Sequence, residues 1–280
     1  FAPNVVGTAN AATAGWGNAG GGATQVLMPL LLSAIVMYGV EQSMGWRAAL
    51  IVPGFMMLIV GCLYWKFTQD CPAGNYKQLR EQGIEVEGGK KGGWAIIKEA
   101  SRNYRVWILF VSYAACFGIE IFMHNVVTMY YVQKFNFGLK EAGMAAGIFG
   151  LLALFARALG GILSDKFALK RGLDARTEIL FFMILGEGLF LMLFSQMNAP
   201  VMAILSMTLF GLFTHMACGA TYALVPFIDR KALGGVAGII GAGGNVGAVA
   251  AGFIFKSMPD LQTCLFSLGI MVVVRSEERR

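Results

Sequence analysis

The stretch Ala14-Gly15-Trp16-Gly17-Asn18-Ala19-Gly20-Gly21-Gly22 lies inside one apolar run, and Gly241-Ala242-Gly243-Gly244-Asn245-Val246-Gly247 repeats its pattern inside another. Both copies contain Gly-Asn-x-Gly. Glycines at this density let two helix backbones, or a backbone and a small ligand, approach closely. Each asparagine adds an amide donor and acceptor where other polar groups are scarce. The glycines serve either helix packing alone or packing together with a backbone-lined path. A glycine-lined, amide-bearing pair in two halves of a membrane chain suits a carrier of a small polar solute.

The composition around these runs requires a bilayer. Of the 280 residues 57% are hydrophobic and only 14% charged, against about a quarter charged in a soluble domain. The net charge of +6 sits in loops between apolar runs. It is therefore a topology signal, and nucleic acid is excluded as a partner. Cys62, Cys71, Cys116, Cys218 and Cys264 are scattered without Cys-x-x-Cys or a histidine at ligand spacing, so neither a disulfide framework nor a metal site is expected. The chain opens on Phe1-Ala2-Pro3-Asn4 without an initiator Met or a leader pattern, and is read as a fragment.

Eight apolar segments run roughly over 7–38, 46–66, 106–132, 141–164, 178–196, 200–228, 235–257 and 261–274. Crossing takes about 20 apolar residues; the first seven have that length and the last is short. Alternate connections hold the basic residues: eight from Lys66 to Arg105, four from Lys166 to Arg176, then Arg230-Lys231, with Arg275, Arg279 and Arg280 in the tail. The positive-inside bias puts that side in the cytoplasm. Asn18 lies in the first segment and Asn245 in the seventh, six helices later, the offset of a parallel repeat of two six-helix halves. The expected fold is thus an all-α membrane protein of twelve helices, of which about eight, five to twelve, are present. Residues 1–66 would end the N-terminal bundle, the polar, Gly-rich 67–105 would be a cytoplasmic linker, and 106–280 would form the C-terminal bundle.

Gly15-x-Gly17-x-x-Gly20 also spells a dinucleotide fingerprint, with Glu41 near the acidic position. No strand–helix alternation surrounds it, so a nucleotide site is rejected. Leu159-Gly160-Gly161-Ile162-Leu163-Ser164-Asp165-Lys166-Phe167, followed by Lys170-Arg171, resembles the loop signature of the major facilitator superfamily at a cytoplasmic helix end. Asp165, with Lys166 and Arg171, is read as a conformational gate that holds helix ends together in one state. Trp46-Arg47 and Asp229-Arg230-Lys231 are helix-end residues that snorkel or pair at the interface.

Arg157 precedes Asp165 by eight residues, about 12 Å inward along a helix. An arginine at that depth must be paired or face a wet cavity. Its planar fork suits a trigonal oxyanion in two-point contact; the alternative is a structural ion pair with Glu120 or Glu187. Glu120 and His124 share a helix face. They serve either as proton carriers, with Glu187 as a third candidate, or as a local hydrogen-bonded pair. Tyr130 and Tyr131 are expected to be interfacial anchors, and Thr214, His215 and Tyr222 are weaker candidates. No nucleophile–base set is visible, so an enzyme is not expected.

The residues 1–22 resemble the signature of the nitrate/nitrite porter family, and Gly241–Gly247 resembles its second copy. Gln69-Asp70-Cys71-Pro72-Ala73-Gly74-Asn75 and Tyr113-Ala-Ala-Cys-Phe-Gly-Ile-Glu120 are similar to stretches of its eukaryotic high-affinity nitrate branch. The likeness runs from Phe1 to about Thr263 and fades in the charged tail.

The resemblance implies a twelve-helix plasma-membrane carrier of nitrate, and of nitrite as a further substrate, without a cofactor. In that family two arginines from opposite halves clamp the anion. Arg157 matches the second-half arginine, and the first-half partner would lie in an early helix absent here. Asn18 and Asn245 match the signature asparagines, and Gly17, Gly20, Gly244 and Gly247 would close around the anion with them. Moving an anion inward against the membrane potential costs about 2.3 kcal/mol per 100 mV. The eukaryotic branch is thought to use protons, some members with a small accessory membrane subunit. Nitrate/nitrite exchange without protons is the rival mechanism. A nitrate-sensing receptor with the 67–105 loop as output is the rival from another class.

Overall fold

A computed structural model describes residues 4–71, 73–84, 93–229 and 231–277, the last three by backbone alone. Phe1 to Pro3, Pro72, Arg230, Arg279 and Arg280, named above, lie outside the described residues, as does part of the Gly-rich linker. Among the described residues the chain is helical and contains no strand; a single bridge joins Cys71 and Gly74. The helices are α1 (Val6–Met37), α2 (Gln42–Phe67), α3 (Tyr76–Glu81), α4 (Gly93–Ser101), α5 (Tyr104–Tyr113), α6 (Ile119–Phe135), α7 (Leu139–Leu151), α8 (Ala153–Arg171), α9 (Leu173–Gln196), α10 (Pro200–Leu224), α11 (Leu233–Ser257) and α12 (Leu261–Glu277).

Among the described residues, seven helical stretches are long and apolar enough to span a bilayer. Tyr104–Phe135 combines α5 and α6, and Leu139–Arg171 combines α7 and α8. The eighth apolar stretch, Leu261–Val274, is shorter. These are the eight segments expected from hydropathy, and the chain is an integral multi-pass membrane protein. The 67–105 connection carries α3 and α4.

Local chemistry sets the helix ends. Asn136 takes a left-handed conformation (φ 52°) and stops α6, as Gly172 (φ 77°) stops α8. The Asn103 side chain accepts from the Arg105 amide at the start of α5, and Asp260 accepts from Thr263 at the start of α12. Asp260 lies outside the spans, and the Thr263 amide and hydroxyl hold its carboxyl below the usual carboxylate range.

The chain forms two compact units, Phe1–Val26 with Ile96–Arg280, and Leu27–Ala95. In the smaller unit Gly45 of α2 lies against Leu32 and Val36 of α1. In the larger unit the helices cross where side chains are smallest. A β-carbon on Gly160 would overlap the backbone of α10 at Met216; one on Gly188 would meet Val273 and the Gly269 carbonyl of α12. Within lipid such close backbone approach replaces the hydrophobic effect as the source of helix association.

One expectation from the sequence is corrected here. Tyr130 and Tyr131 are not interfacial anchors: both are buried among Phe135, Phe137 and Phe194. The Tyr130 hydroxyl accepts from Lys134 at 2.9 Å, and Lys134 also donates to Gln262 of α12 at 3.1 Å. Their helix face turns toward α9 and α12 rather than lipid.

Candidate functional site

Arg157 is the largest fully buried side chain of the larger unit, 1% exposed. α8 carries it and α10 holds the backbone beneath it, because Gly219 leaves no room for a β-carbon against the Arg157 carbonyl. Its Nη2 donates to Glu120 Oε2 at 2.5 Å, and Glu120 is equally buried. Of the two ion-pair partners open to it, Arg157 therefore takes Glu120. The contact engages one guanidinium nitrogen, and Nε has no hydrogen-bond partner among the described residues. The Arg157 guanidinium also lies 5.1 Å from the centre of the Phe117 ring.

Glu120 gathers further groups from its own helix and from α10. His215 of α10 brings Nδ1 to 3.3 Å from Glu120 Oε2, while its Nε2 meets the Phe149 carbonyl at 2.9 Å. The Cys218 thiol points at the same carboxylate oxygen from 3.5 Å. His124 lies 4.0 Å from Oε1, and its backbone carbonyl accepts from the Gln25 amide of α1 at 2.9 Å. Glu187 of α9 is fully buried, and among the described residues neither of its carboxylate oxygens has a hydrogen-bond partner. Thr214 stands near it but donates its own hydroxyl to the Phe210 carbonyl.

A π-helical turn, Ala114–Gly118, joins α5 to α6 at this level. Such turns insert one residue into a helix and re-aim the side chains that follow. Phe117 stacks on Tyr113 at 4.9 Å, and Tyr113 meets Tyr222 edge-on at 5.1 Å. Tyr222 also lines an open groove of about 1000 Å³ bounded by Val6, Asn10 and Ala14 of α1 and Leu233 and Ala237 of α11. An aromatic wall thus runs from the groove to Arg157.

Both glycine signatures reach the arginine. In α1, Gly7, Ala11, Gly15, Ala19 and Gly22 form the buried stripe. A β-carbon on Gly15 would lie 2.5 Å from the Ala153 carbonyl and 3.3 Å from the Arg157 β-carbon, and one on Gly22 would overlap the backbone at Gly150 and Leu151. In α11, Gly244 makes room for the Phe117 ring, and Gly247 lies on Ala114 and Gly118 of the π turn. Gly17 and Gly20 stand on the other face of α1, where a β-carbon would meet nothing within 4 Å among the described residues. The Asn18 amide donates to its own helix at Ala14, 2.8 Å away, and Asn245 is exposed. Arg157, Glu120, His124, Gly244 and Gly247 are therefore brought together, while Gly17, Gly20 and Asn245 are not.

At the basic end of α8, Asp165 pairs with Arg176 of α9 at 2.7 Å. Its other oxygen accepts from the Thr8 amide at 2.7 Å and the Thr8 hydroxyl at 2.8 Å. Asp165 thus serves as an N-terminal cap for α1, where the helix dipole favours an anion. Lys166 is exposed, and Arg171 pairs with Glu178 at the surface. Sequence reasoning missed Arg176 as the partner, Phe117 as the ring under Arg157, and the weight of His215. Each depends on a contact between helices; for Arg176 and His215 the signal in the sequence was a polar residue inside or beside an apolar run, and nothing marked Phe117 among the other aromatic residues.

The family model described as Major Facilitator Superfamily matches residues 5–252. The chain belongs to the Major Facilitator Superfamily. Within that superfamily it is 37% identical over 278 residues to the high affinity nitrate transporter 2.5 of Arabidopsis thaliana, covering 99% of this chain and 55% of that protein. It is 38% identical over 259 residues to the nitrate transporter 2.2 of Chlamydomonas reinhardtii, covering 92% and 50%. The nitrate/nitrite transporter NrtP of Nostoc punctiforme is 25% identical over 340 residues, covering 98% and 67%. This Major Facilitator Superfamily chain spans about half the length of the first two relatives. The likeness to nitrate porters read from the glycine signatures is shown by these matches.

Proposed function

We propose that this protein is a secondary active transporter that imports nitrate, and also nitrite, by alternating access and together with protons. The observation that carries the reading is the buried Arg157 guanidinium at the meeting point of both glycine signatures, with its Nε lacking a partner among the described residues. A planar cation in a dry site binds a small trigonal anion through parallel N–H donors. The names of the relatives support nitrate as that anion. Asn18, Asn245, Gly17, Gly20, Gly244 and Gly247 are proposed to close around it. Asp165 with Arg176 and Thr8 is proposed to fasten the helix ends in one state of the cycle, with Lys166 and Arg171 beside it. Residues 1–66 and 106–280 are proposed to belong to opposite bundles joined by 67–105, in the plasma membrane.

Inward movement of an anion costs about 2.3 kcal/mol per 100 mV of inside-negative potential, so accumulation needs co-transported cations. Glu120, His124 and Glu187 are titratable groups within the spans that support a proton route. The test is labelled-nitrate uptake by the protein, expressed from its complete reading frame in oocytes or liposomes, with and without a small accessory membrane subunit. Accumulation dependent on an acidic outside is expected. Nitrate exchange without accumulation would assign the rival exchange mechanism, and no uptake under either condition would leave a sensor.

A further inference from the structure

The two ring nitrogens of His215 face acceptors on both sides. Nε2 meets the backbone oxygen of Phe149, so it must carry a hydrogen and donate. In a neutral imidazole that leaves Nδ1 as an acceptor. Nδ1 nevertheless points at a carboxylate oxygen of Glu120 3.3 Å away, with both residues fully buried and no other partner for Nδ1 among the described residues. Two acceptors facing each other in a dry site repel. One proton between them turns the same contact into a charge-assisted hydrogen bond.

We propose that His215 and Glu120 together form the seat of the transported proton, and that this proton and the anion on Arg157 load as a pair. The inference rests on the reading of the protein as a proton-coupled nitrate carrier. Net charge supplies the coupling. With neither ligand, Arg157 is positive, Glu120 negative and His215 neutral, and this trio sums to zero. With one proton and one nitrate it again sums to zero. With the anion alone it carries one net negative charge, and with the proton alone one net positive charge. Uncompensated charge in a membrane interior costs several kcal/mol, so both half-loaded states are disfavoured. The proton arrives from external water onto Nδ1 or Oε2, and leaves to internal water from the same atoms; no other bond is made or broken. When it rests on Oε2, the carboxyl no longer competes with nitrate for the Arg157 N–H groups.

The other groups facing this pair are consistent with that role. Arg157 comes from α8, Cys218 from α10 and His124 from α6 itself. Glu187 on α9 lies within electrostatic reach of Glu120, Tyr113 stands beside Arg157, and Cys116 stands beside Cys218 and Glu187. α1 contributes Gly21 against the His124 ring and the Gln25 amide on the His124 carbonyl, neither of them charged.

The experiment uses the protein from its complete reading frame, purified and reconstituted in liposomes, with nitrate as the probe. In the native protein the nitrate KM is expected to rise by up to about tenfold per pH unit where the seat empties. Glu120→Gln offers an amide hydrogen to Nδ1 and an oxygen to Arg157, imitating the loaded carboxyl. It should exchange nitrate with a KM independent of pH and lose acid-driven accumulation. His215→Gln should lose accumulation and the pH dependence of KM likewise. Proton uptake on nitrate binding, read with a pH dye in weakly buffered detergent, should be close to one per anion for the native protein and absent in Glu120→Gln. This measurement on the native protein stands even where a variant does not fold. Native protein that accumulates nitrate but takes up no proton on binding, or a His215→Gln variant with native pH dependence, overturns this seat alone. Native protein that moves no nitrate at all overturns the carrier reading, and the seat with it.

Discussion

Gly244 lacks a β-carbon, and the Phe117 ring occupies the space where one would lie. That ring is the surface over which the Arg157 guanidinium rests at 5.1 Å. The second glycine signature therefore acts on the arginine through one aromatic ring, whereas the first touches it directly at Gly15. A π turn places Phe117 there, and Gly247 locks that turn against α11.

A methyl group at Gly244 must push the ring aside and tilt the guanidinium with it. Gly244→Ala is expected to raise the nitrate KM by about tenfold, roughly 1.4 kcal/mol of binding. Gly252→Ala, on the same helix where a β-carbon would meet nothing within 4 Å among the described residues, is the matched control and should leave KM unchanged. Equal KM values for the two variants in labelled uptake would separate Phe117 from the site.

Arg157→Lys keeps a positive charge for Glu120 but loses the planar fork and its stacking on Phe117. Uptake at low nitrate should fall by about 100-fold, equivalent to about 2.7 kcal/mol, while surface expression persists. Surface-labelled protein compared with isotope uptake reads the two separately. A variant that transports at the native rate would leave Arg157 with its structural pairing to Glu120 only.

The two faces of α1 should respond differently. Gly15→Val and Gly22→Ala place carbon into the backbones of α8 and α7 and should destabilise the detergent-solubilised protein by about 1–3 kcal/mol each. Gly17→Ala and Gly20→Ala meet nothing among the described residues and should shift stability by less than about 0.5 kcal/mol. Their uptake should nonetheless drop, because those glycines are proposed to close on the anion. Thermal melts paired with uptake decide; native uptake in Gly17→Ala and Gly20→Ala would confine the signature to packing.

Asp165 joins α8, α9 and α1 through Arg176 and Thr8. Removing one member breaks a buried ion pair, at about 3–5 kcal/mol. Asp165→Asn and Arg176→Gln should each lower thermal stability, and the double variant should cost less than the sum of the two. Strict additivity would mean that the two residues do not act as a unit. Lys166→Gln, at an exposed position, should leave stability unchanged.

The sequence by itself determined the membrane class, the eight apolar helices and their boundaries to within seven residues. The bilayer imposes a length and an apolarity on every span separately, so each can be recognised without knowing its neighbours. It also singled out Arg157, Glu120 and His124, because an ionisable residue in an apolar run must have a buried partner or a wet cavity, and Asp165 through the loop signature that its surroundings resemble. Which partner is a matter of helix rotation and crossing, and only the tertiary structure decided it. Arg157 turns to Glu120 and not Glu187, Asp165 to Arg176 and not Lys166 or Arg171, and His215 to Glu120. Tyr130 and Tyr131 face the interior for the same reason. Glycine spacing announced close approach, but whether a glycine met a backbone, as Gly15 does, or a ring, as Gly244 does, depended on the neighbouring helix.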